Sequence, residues 1–185
     1  KSVGEVMAIG RSCEEVLQKA IRMLDIGMSG LVGDEIEFGD LDKELKEPTD
    51  KRMFAVAEAI RRGYSIEKIH ALSKIDPWYV YKVKHIVDIE LQLRQCRIEE
   101  VPIGILKEAK QKGFSDLQIA EITGRPEGAV RKTRRRAGII PCVKQIDTLA
   151  AEYPARTNYL YMTYNGQEDD LEDDETNQIV ILGGG

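Results

Sequence analysis

Five of the six residues from Arg131 to Arg136 are basic: Arg131, Lys132, Arg134, Arg135 and Arg136. They close the run Gly113 to Gly138, which has the grammar of a helix-turn-helix: a capped first helix, a glycine turn and a basic second helix suited to a major groove. Such cations would neutralise phosphates and release counterions, which drives duplex binding. Three other features could carry chemistry. Leu182-Gly183-Gly184-Gly185 could open a turn that cradles a phosphate on backbone N–H groups, although a tight strand exit is the plainer reading. Glu168 to Glu175 holds seven acids in eight residues, a run able to draw cations or a basic partner but expected to be a mobile solvated loop. It is no EF-hand, because it lacks the central glycine and the glutamate at the twelfth position. Trp78, Tyr79, Tyr81 and the tyrosines of 159–164 could stack bases, but no basic residues interleave with them. They are expected in a core or an interface instead.

Catalysis finds no footing in these residue types. No serine or cysteine has a plausible base nearby in sequence, and the glutamates form no recognisable acid–base pair. His70 and His85 fall in helical patterns, where packing or surface roles are the default. Two imidazoles without Cys-x-x-Cys or His-x-x-x-His spacing draw no zinc site. Cys13, Cys96 and Cys142 are isolated and odd in number, which implies a reducing intracellular setting and three buried packing thiols rather than a disulfide framework. No catalytic, cofactor-binding or metal-ligating residue is assigned, and the segment itself is expected to hold no cofactor.

The elements that would position these residues can be read from periodicity. Val3 to Ile9 reads as a short strand broken by Gly10. Ser12 and Glu15 form a capping-box pattern ahead of a helix whose apolar face is Val16, Leu17, Ala20, Ile21 and Leu24. Glycines 27, 30, 33 and 39 mark a loop to a new unit. From Thr49 to Gly138 the pattern is helical almost throughout. Met53, Phe54, Ala57 and Ile60 make a stripe ended by Gly63, and Ser65 caps a short helix with Ile66, Ile69 and Leu72 on one face. Asp76-Pro77 opens a helix reaching about Gln95. Helices from about Pro102 to Lys112, from Ser115 and from Pro126 follow.

An internal repeat underlies this region. Gly63-Tyr64-Ser65 returns fifty positions later as Gly113-Phe114-Ser115, and Ile69, Leu72 and Val80 match Ile119, Ile122 and Val130. Each copy reads helix, Gly, aromatic, Ser cap, short helix, turn, proline-led helix. Beyond Gly138, Ile139 to Pro141 and Val143 to Ile146 look extended, Tyr159 to Tyr164 alternates as a strand, and Gln178 to Leu182 is a buried-type strand. The fold class is mainly α: a two-lobed helical bundle of repeated helix-turn-helix-like units, with short β segments at the N- and C-terminal flanks.

Length and composition set the outer limits. The chain has 185 residues, 42% hydrophobic and 32% charged, enough apolar material for one packed core. No stretch approaches the roughly 18 apolar residues of a membrane span. The start lacks a secretory signal, and both ends look cut, as if from something larger. Charge is unevenly placed: residues 1–102 carry 16 basic and 19 acidic side chains, 103–144 carry 10 and 4, and 145–185 carry 1 and 9. That asymmetry hints at a partner or at self-association. Against duplex binding stand the overall charge of -5, the first repeat's lack of a basic cluster, and the spread of the Arg131–Arg136 cations around their helix.

The two ends resemble a known family. Lys1-Ser2-Val3-Gly4-Glu5-Val6-Met7-Ala8-Ile9-Gly10-Arg11 is similar to the closing segment of the first ATP-grasp half of carbamoyl-phosphate synthetase, large (synthetase) component. Ile146 to Tyr153, then Thr157 to Tyr161 with Thr163-Tyr164, resemble the connector before the second half, and Ile181 to Gly185 its first strand. Ser73 to Trp78 and Gly113 to Asp116 are similar to internal motifs of the family, and the Tyr-Leu-Tyr-x-Thr-Tyr-Asn-Gly wording looks eukaryotic. Pro77 departs from the longer polar or charged residue more often found there, and 27–47 and 168–175 match weakly.

The resemblance implies four segments. Residues 1–24 are the C-terminal edge of the first ATP-grasp half, 25–142 a helical oligomerisation domain, 143–176 an extended connector with the acidic loop, and 177–185 the first strand of the second half. It implies a parent ligase that makes carbamoyl phosphate from bicarbonate, glutamine-derived ammonia and two ATP, using Mg or Mn. The parent's ATP and metal ligands lie outside this segment, which is expected to be inactive alone. Implied partners are the flanking halves, a glutamine amidotransferase component and further copies in a homo-oligomer, with no membrane and no nucleic acid. The implied place is the cytoplasm or mitochondrial matrix, in arginine or pyrimidine synthesis, with arginine favoured on overall similarity.

Overall fold

The computed structural model describes residues 5–34, 36–98, 100–150, 152–154 and 159–170. Helices begin where a side chain can accept the first free backbone N–H groups. The Ser12 hydroxyl accepts from the Glu15 amide at the head of α1 (Cys13–Met23). Asp40 does the same for α2 (Leu41–Lys46), a short helix inside the stretch read as loop. Next come α3 (Arg52–Arg61), α4 (Ile66–Ser73) behind Ser65, and α5 (Pro77–Arg94) behind Asp76 with proline at its first position. The second unit supplies α6 (Ile103–Gln111), α7 (Asp116–Thr123) behind Ser115, and α8 (Glu127–Arg136) after Pro126.

The repeat is structural as well as textual. Helices α3 and α6 end in the same Schellman turn, with Gly63 (φ 82°) and Gly113 (φ 89°) in the left-handed region that a Cβ disfavours. Tyr64 N donates to Ala59 O at 2.9 Å, and Phe114 N to Ala109 O at 3.0 Å. The aromatic residue of each turn then drops toward the core, Phe114 fully and Tyr64 partly. Ile69 and Ile119 are completely buried, as are Val80 and Val130. Helix α5 has 18 residues against 10 in its counterpart α8, and it packs on α1, α3, α4, α6 and α7. The two units therefore share a single apolar core, to which Ile86, Ile89 and Leu93 of α5 and Leu106 and Phe114 of the second unit all belong.

A two-stranded antiparallel sheet closes the C-terminal side: β1 (Cys142–Gln145) pairs with β2 (Leu160–Thr163), Cys142 facing Thr163 and Gln145 facing Leu160. Both strands fall where the sequence reads as extended. The opposite edge of β1 is covered by carboxylates. Asp169 accepts from Val143 N at 2.7 Å, while Asp170 accepts from Gln145 N at 3.0 Å and from Lys144 Nζ at 2.7 Å. An unpaired strand edge offers donors that need partners, and short acidic side chains supply them here. Asp169 and Asp170 of the 168–175 run are thus strand-edge acceptors that remain exposed to solvent. Residues 171–175, the strand 178–182 and the turn 182–185 lie outside the described residues.

Three further expectations change. Residues 5–10, the described part of the N-terminal strand, join no β ladder, so among the described residues the β content lies in the C-terminal part only. Of the three cysteines, Cys142 is buried while Cys13 and Cys96 are half-exposed. Helix α1 lies the opposite way round from its apolar face: Glu14, Glu15 and Gln18 are buried with Ile21, while Val16, Leu17 and Ala20 are only partly covered. The cause is polar partnership, because Glu14 through Oε1, Glu15 and Gln18 find donors or acceptors in the surrounding elements, with only Glu14 Oε2 left without a hydrogen bond.

Candidate functional site

Three polar clusters hold the helices in place, and the first two depend on residues far apart in sequence. At the centre, Gln18 and Gln118, both fully buried, exchange hydrogen bonds at 3.3 and 3.4 Å. Gln118 also donates to Val32 O at 2.6 Å, and Gln18 accepts from Leu31 N at 2.7 Å. This pair ties α1, the 24–40 loop and α7 together. The loop that reads as a spacer is thereby drawn into the core, with Leu31 and Val32 buried.

The second cluster joins α1, α5 and α6. His85 sits between Glu14, 3.1 Å from Nδ1, and Glu108, 2.8 Å from Nε2. Lys112 and Lys82 approach the same Glu14 oxygen at 3.5 and 3.7 Å. Burial pushes the Glu14 carboxyl up, but its own backbone amide, His85 and the two lysines outweigh that and hold it below the usual carboxylate range. His85 thus has a polar structural role.

The third cluster lies in the second unit. Lys110 Nζ donates to Asp116 at 2.7 Å and to Phe114 O at 2.7 Å, and Arg134 Nε meets both Asp116 oxygens at 2.9 and 2.8 Å. Burial lowers the Lys110 ammonium to about 8, with Asp116 opposing the shift. Burial also pushes Asp116 up, yet Lys110 and then Arg134 hold its carboxyl below the ordinary range. The Tyr164 ring, just past β2, lies 5.0 Å from the Lys110 ammonium, so the cluster also anchors the sheet. A comparable arrangement buries Glu90 between Arg61 at 2.8 Å and Arg94 at 2.8 Å.

These clusters decide what the candidate cations can do. Arg134, in the middle of the basic run, is turned onto Asp116, and Arg131 pairs with Glu127 at 2.6 Å. Lys132, Arg135 and Arg136 stand exposed. The run is divided between an internal lock and an outer face, which removes the basis for reading Arg131–Arg136 as one nucleic-acid contact set. Trp78, Tyr79 and Tyr81 are 52%, 53% and 56% exposed on the first turns of α5, so they belong to a surface and not to the core. Among the described residues no group of three or more His, Cys, Asp or Glu side chains could hold a metal ion. No helix among the described residues is long and apolar enough to cross a membrane.

Sequence reasoning did not single out Lys110, Asp116 and Arg134 as a unit. The signal was available in the repeat: at an offset of fifty they replace Ile60, Ile66 and Lys84, and charges at apolar positions of a repeat need compensating neighbours. Nothing local marks Gln18 and Gln118 as partners.

A mainly helical body of two repeated units, internally locked by charge and carrying exposed aromatic and basic faces, is the architecture of an interaction module. A family described as the carbamoyl-phosphate synthetase large chain, oligomerisation domain, matches residues 5–138, and the chain belongs to it. The multifunctional protein pyr1-3 of Dictyostelium discoideum is 49% identical over 186 residues, covering all of this chain and 8% of its own length. The mitochondrial arginine-specific carbamoyl phosphate synthase large chain of Neurospora crassa is 50% identical over 189 residues, covering all of this chain and 16% of its own. The mitochondrial carbamoyl-phosphate synthase (ammonia) of Aquarana catesbeiana is 46% identical over 187 residues, covering 98% of this chain and 12% of its own. The chain thus spans between 8 and 16% of the length of these relatives.

Proposed function

We propose that this segment is the non-catalytic module through which a carbamoyl-phosphate synthetase self-associates and spaces its two synthetase halves. The observation carrying this reading is the match of the whole chain, at near half identity, to a small fraction of much longer synthetases. The segment boundaries at 24/25, 142/143 and 176/177 belong to the same proposal. The parent then makes carbamoyl phosphate from bicarbonate, ammonia released by a glutamine amidotransferase component and two ATP, with Mg or Mn at sites outside this segment. Relatives are named for arginine-specific and for multifunctional proteins, and the overall resemblance favours the arginine branch in the cytoplasm or mitochondrial matrix.

A rigid helical body suits the spacer role, because the shared core and the polar locks resist bending between the units. Light scattering on the 185-residue chain over a wide concentration range tests the assembling role. Association that grows with concentration is the expected result, and a strict monomer throughout would remove self-association while leaving the spacer role standing.

A further inference from the structure

The C-terminal end of α3 repeats that of α6 in sequence but not in surroundings. At the offset of fifty, Glu58 and Arg62 correspond to Glu108 and Lys112. In the second unit other helices take up those side chains: Glu108 meets His85 of α5 at 2.8 Å, and Lys112 approaches Glu14 of α1 at 3.5 Å. In the first unit Arg62 Nε donates to Glu58 on its own helix at 2.7 Å, and both side chains line an open cavity of about 590 Å³. Arg61 of α3 and Arg94 at the end of α5 supply further cations to its wall, and the 24–40 loop adds Asp34, Ile36, Glu37 and Phe38.

The guanidiniums are fixed in place without being used up. Arg61 donates to Glu58 and, at 2.8 Å, to Glu90, while Arg94 donates to the other Glu90 oxygen at 3.0 and 2.8 Å. Arg61 Nε is buried without an acceptor among the described residues, and Arg62 bonds there through Nε alone. On the loop, Asp34 accepts from Ser29 N through Oδ2 at 3.2 Å, and the exposed Glu37 has no polar partner among the described residues. Three guanidiniums and three carboxylates thus line one space, with Ile36 and the buried Phe38 as its apolar part. Balanced charge of this kind repels a bare anion or a bare cation about as much as it attracts it. A ligand that brings both signs gains from both.

We propose that this cavity binds a free α-amino acid with an apolar side chain. The carboxylate takes the unused Nη donors of Arg62 and Arg94, in the planar fork geometry that guanidinium and carboxylate share. The ammonium takes Glu37 and the second Asp34 oxygen, and the side chain lies on Ile36 and Phe38. The volume falls in the range of small-molecule pockets, about 300–1,000 Å³. Because α3, α5 and the loop each contribute one part, the bound amino acid ties the loop to the helical body. The site is independent of the assembling and spacing roles.

Equilibrium dialysis of the full-length protein against L-leucine, L-methionine and L-phenylalanine, at up to about 10 mM, measures the binding. The single-charge analogues 4-methylpentanoate and 3-methylbutylamine, with inorganic phosphate, serve as controls. At least one of the three amino acids is expected to bind with a Kd of about 1 mM or tighter and to slow hydrogen exchange in residues 34–38. R62A and E37Q should each weaken it about tenfold or more, while R136A on α8 leaves it unchanged. Arg62 and Glu37 are exposed and make no bond to Glu90, so the helical body tolerates both variants, which unchanged thermal midpoints verify. The single-charge analogues should bind about tenfold more weakly than leucine, because each leaves one set of charges unmatched. No binding of any of the three amino acids overturns the proposal. Binding that R62A and E37Q leave unchanged also overturns it, since the amino acid then sits elsewhere in the protein. Tighter binding of 4-methylpentanoate or phosphate overturns it as well and makes the cavity a plain anion site.

Discussion

In the first helical unit Ile60, Ile66 and Lys84 occupy the positions that Lys110, Asp116 and Arg134 hold in the second. Ile60 and Ile66 pack against the common core, and Lys84 reaches outward to Asp88 at 2.5 Å. The second unit instead keeps Lys110 at 4% and Asp116 at 8% exposure, with Arg134 folded over them. The turns and caps of the two units are nevertheless the same. Backbone shape therefore follows the glycine, the serine cap and a few fully buried aliphatics, while neighbouring interior positions accept either oil or a closed ionic set. What the charged version adds is an attachment, because Lys110 and Arg134 also approach the Tyr164 ring at 5.0 and 5.8 Å. The first unit keeps its buried ionic set elsewhere, on Glu90 between Arg61 and Arg94.

The sharpest way to break this comparison is D116N. It leaves Lys110 and Arg134 buried with one neutral partner, and loss of about 3–5 kcal/mol in chemical denaturation is expected. Converting the whole set to its first-unit counterpart, K110I with D116I and R134K, should cost about 1 kcal/mol, since well-packed apolar replacement of a buried ionic set is often near neutral. An equal loss in both variants would show that the charges are not interchangeable with the aliphatic solution. Next in size, I69A and I119A remove fully buried side chains at matching positions and should each cost about 3 kcal/mol. A difference beyond about 1 kcal/mol between them would show that the two units do not share one core equally.

Acid should act on both units. Glu58 in the first unit, Asp116 in the second, and Glu14 and Glu15 on α1 are all held below their ordinary values of 4.5 or 3.8. With a depressed folded pKa the unfolded chain takes up protons first, so the stability these groups add is present above the unfolded value and drains away as pH falls through the folded one. Thermal midpoints should therefore fall between about pH 5 and pH 3, and D116N should show a shallower fall. The smallest test concerns the turn after the short helix, where Lys74 (φ 61°) and Gly124 (φ 64°) adopt the same left-handed conformation. K74G should be neutral or stabilising by up to about 1 kcal/mol, and G124A destabilising by about the same amount.

Much of this arrangement is legible without coordinates because its causes are local. Ser12, Ser65, Asp76 and Ser115 cap helices where the sequence places caps, and the offset of fifty predicts pairs that the fold buries alike at 69/119 and 80/130, while Leu72 is only partly buried against a buried Ile122. The strands at 142–145 and 160–163 follow from alternation and β-branched or aromatic content. Legibility fails where a residue's role depends on a distant partner. Asp40 capping α2 is hidden in a stretch rich in glycine and acid, and the acids at 169 and 170 become acceptors only because a strand edge lies beside them.

The amino-acid sequence by itself determined the helical class, the duplicated unit, the turn chemistry and the family, since each rests on residue type and short-range spacing. Only the tertiary structure decided how charge is distributed between inside and outside. Helical periodicity places Val16, Leu17 and Ala20 on one face of α1, but it does not say which face meets the core. That choice was made by partners at a distance: Gln118, His85 and Asn165 give the polar face its hydrogen bonds, and Val16, Leu17 and Ala20 are left only partly covered. Asp116 likewise divides the basic run by capturing Arg134, because a buried carboxylate without a cation costs more than an exposed guanidinium gains from water.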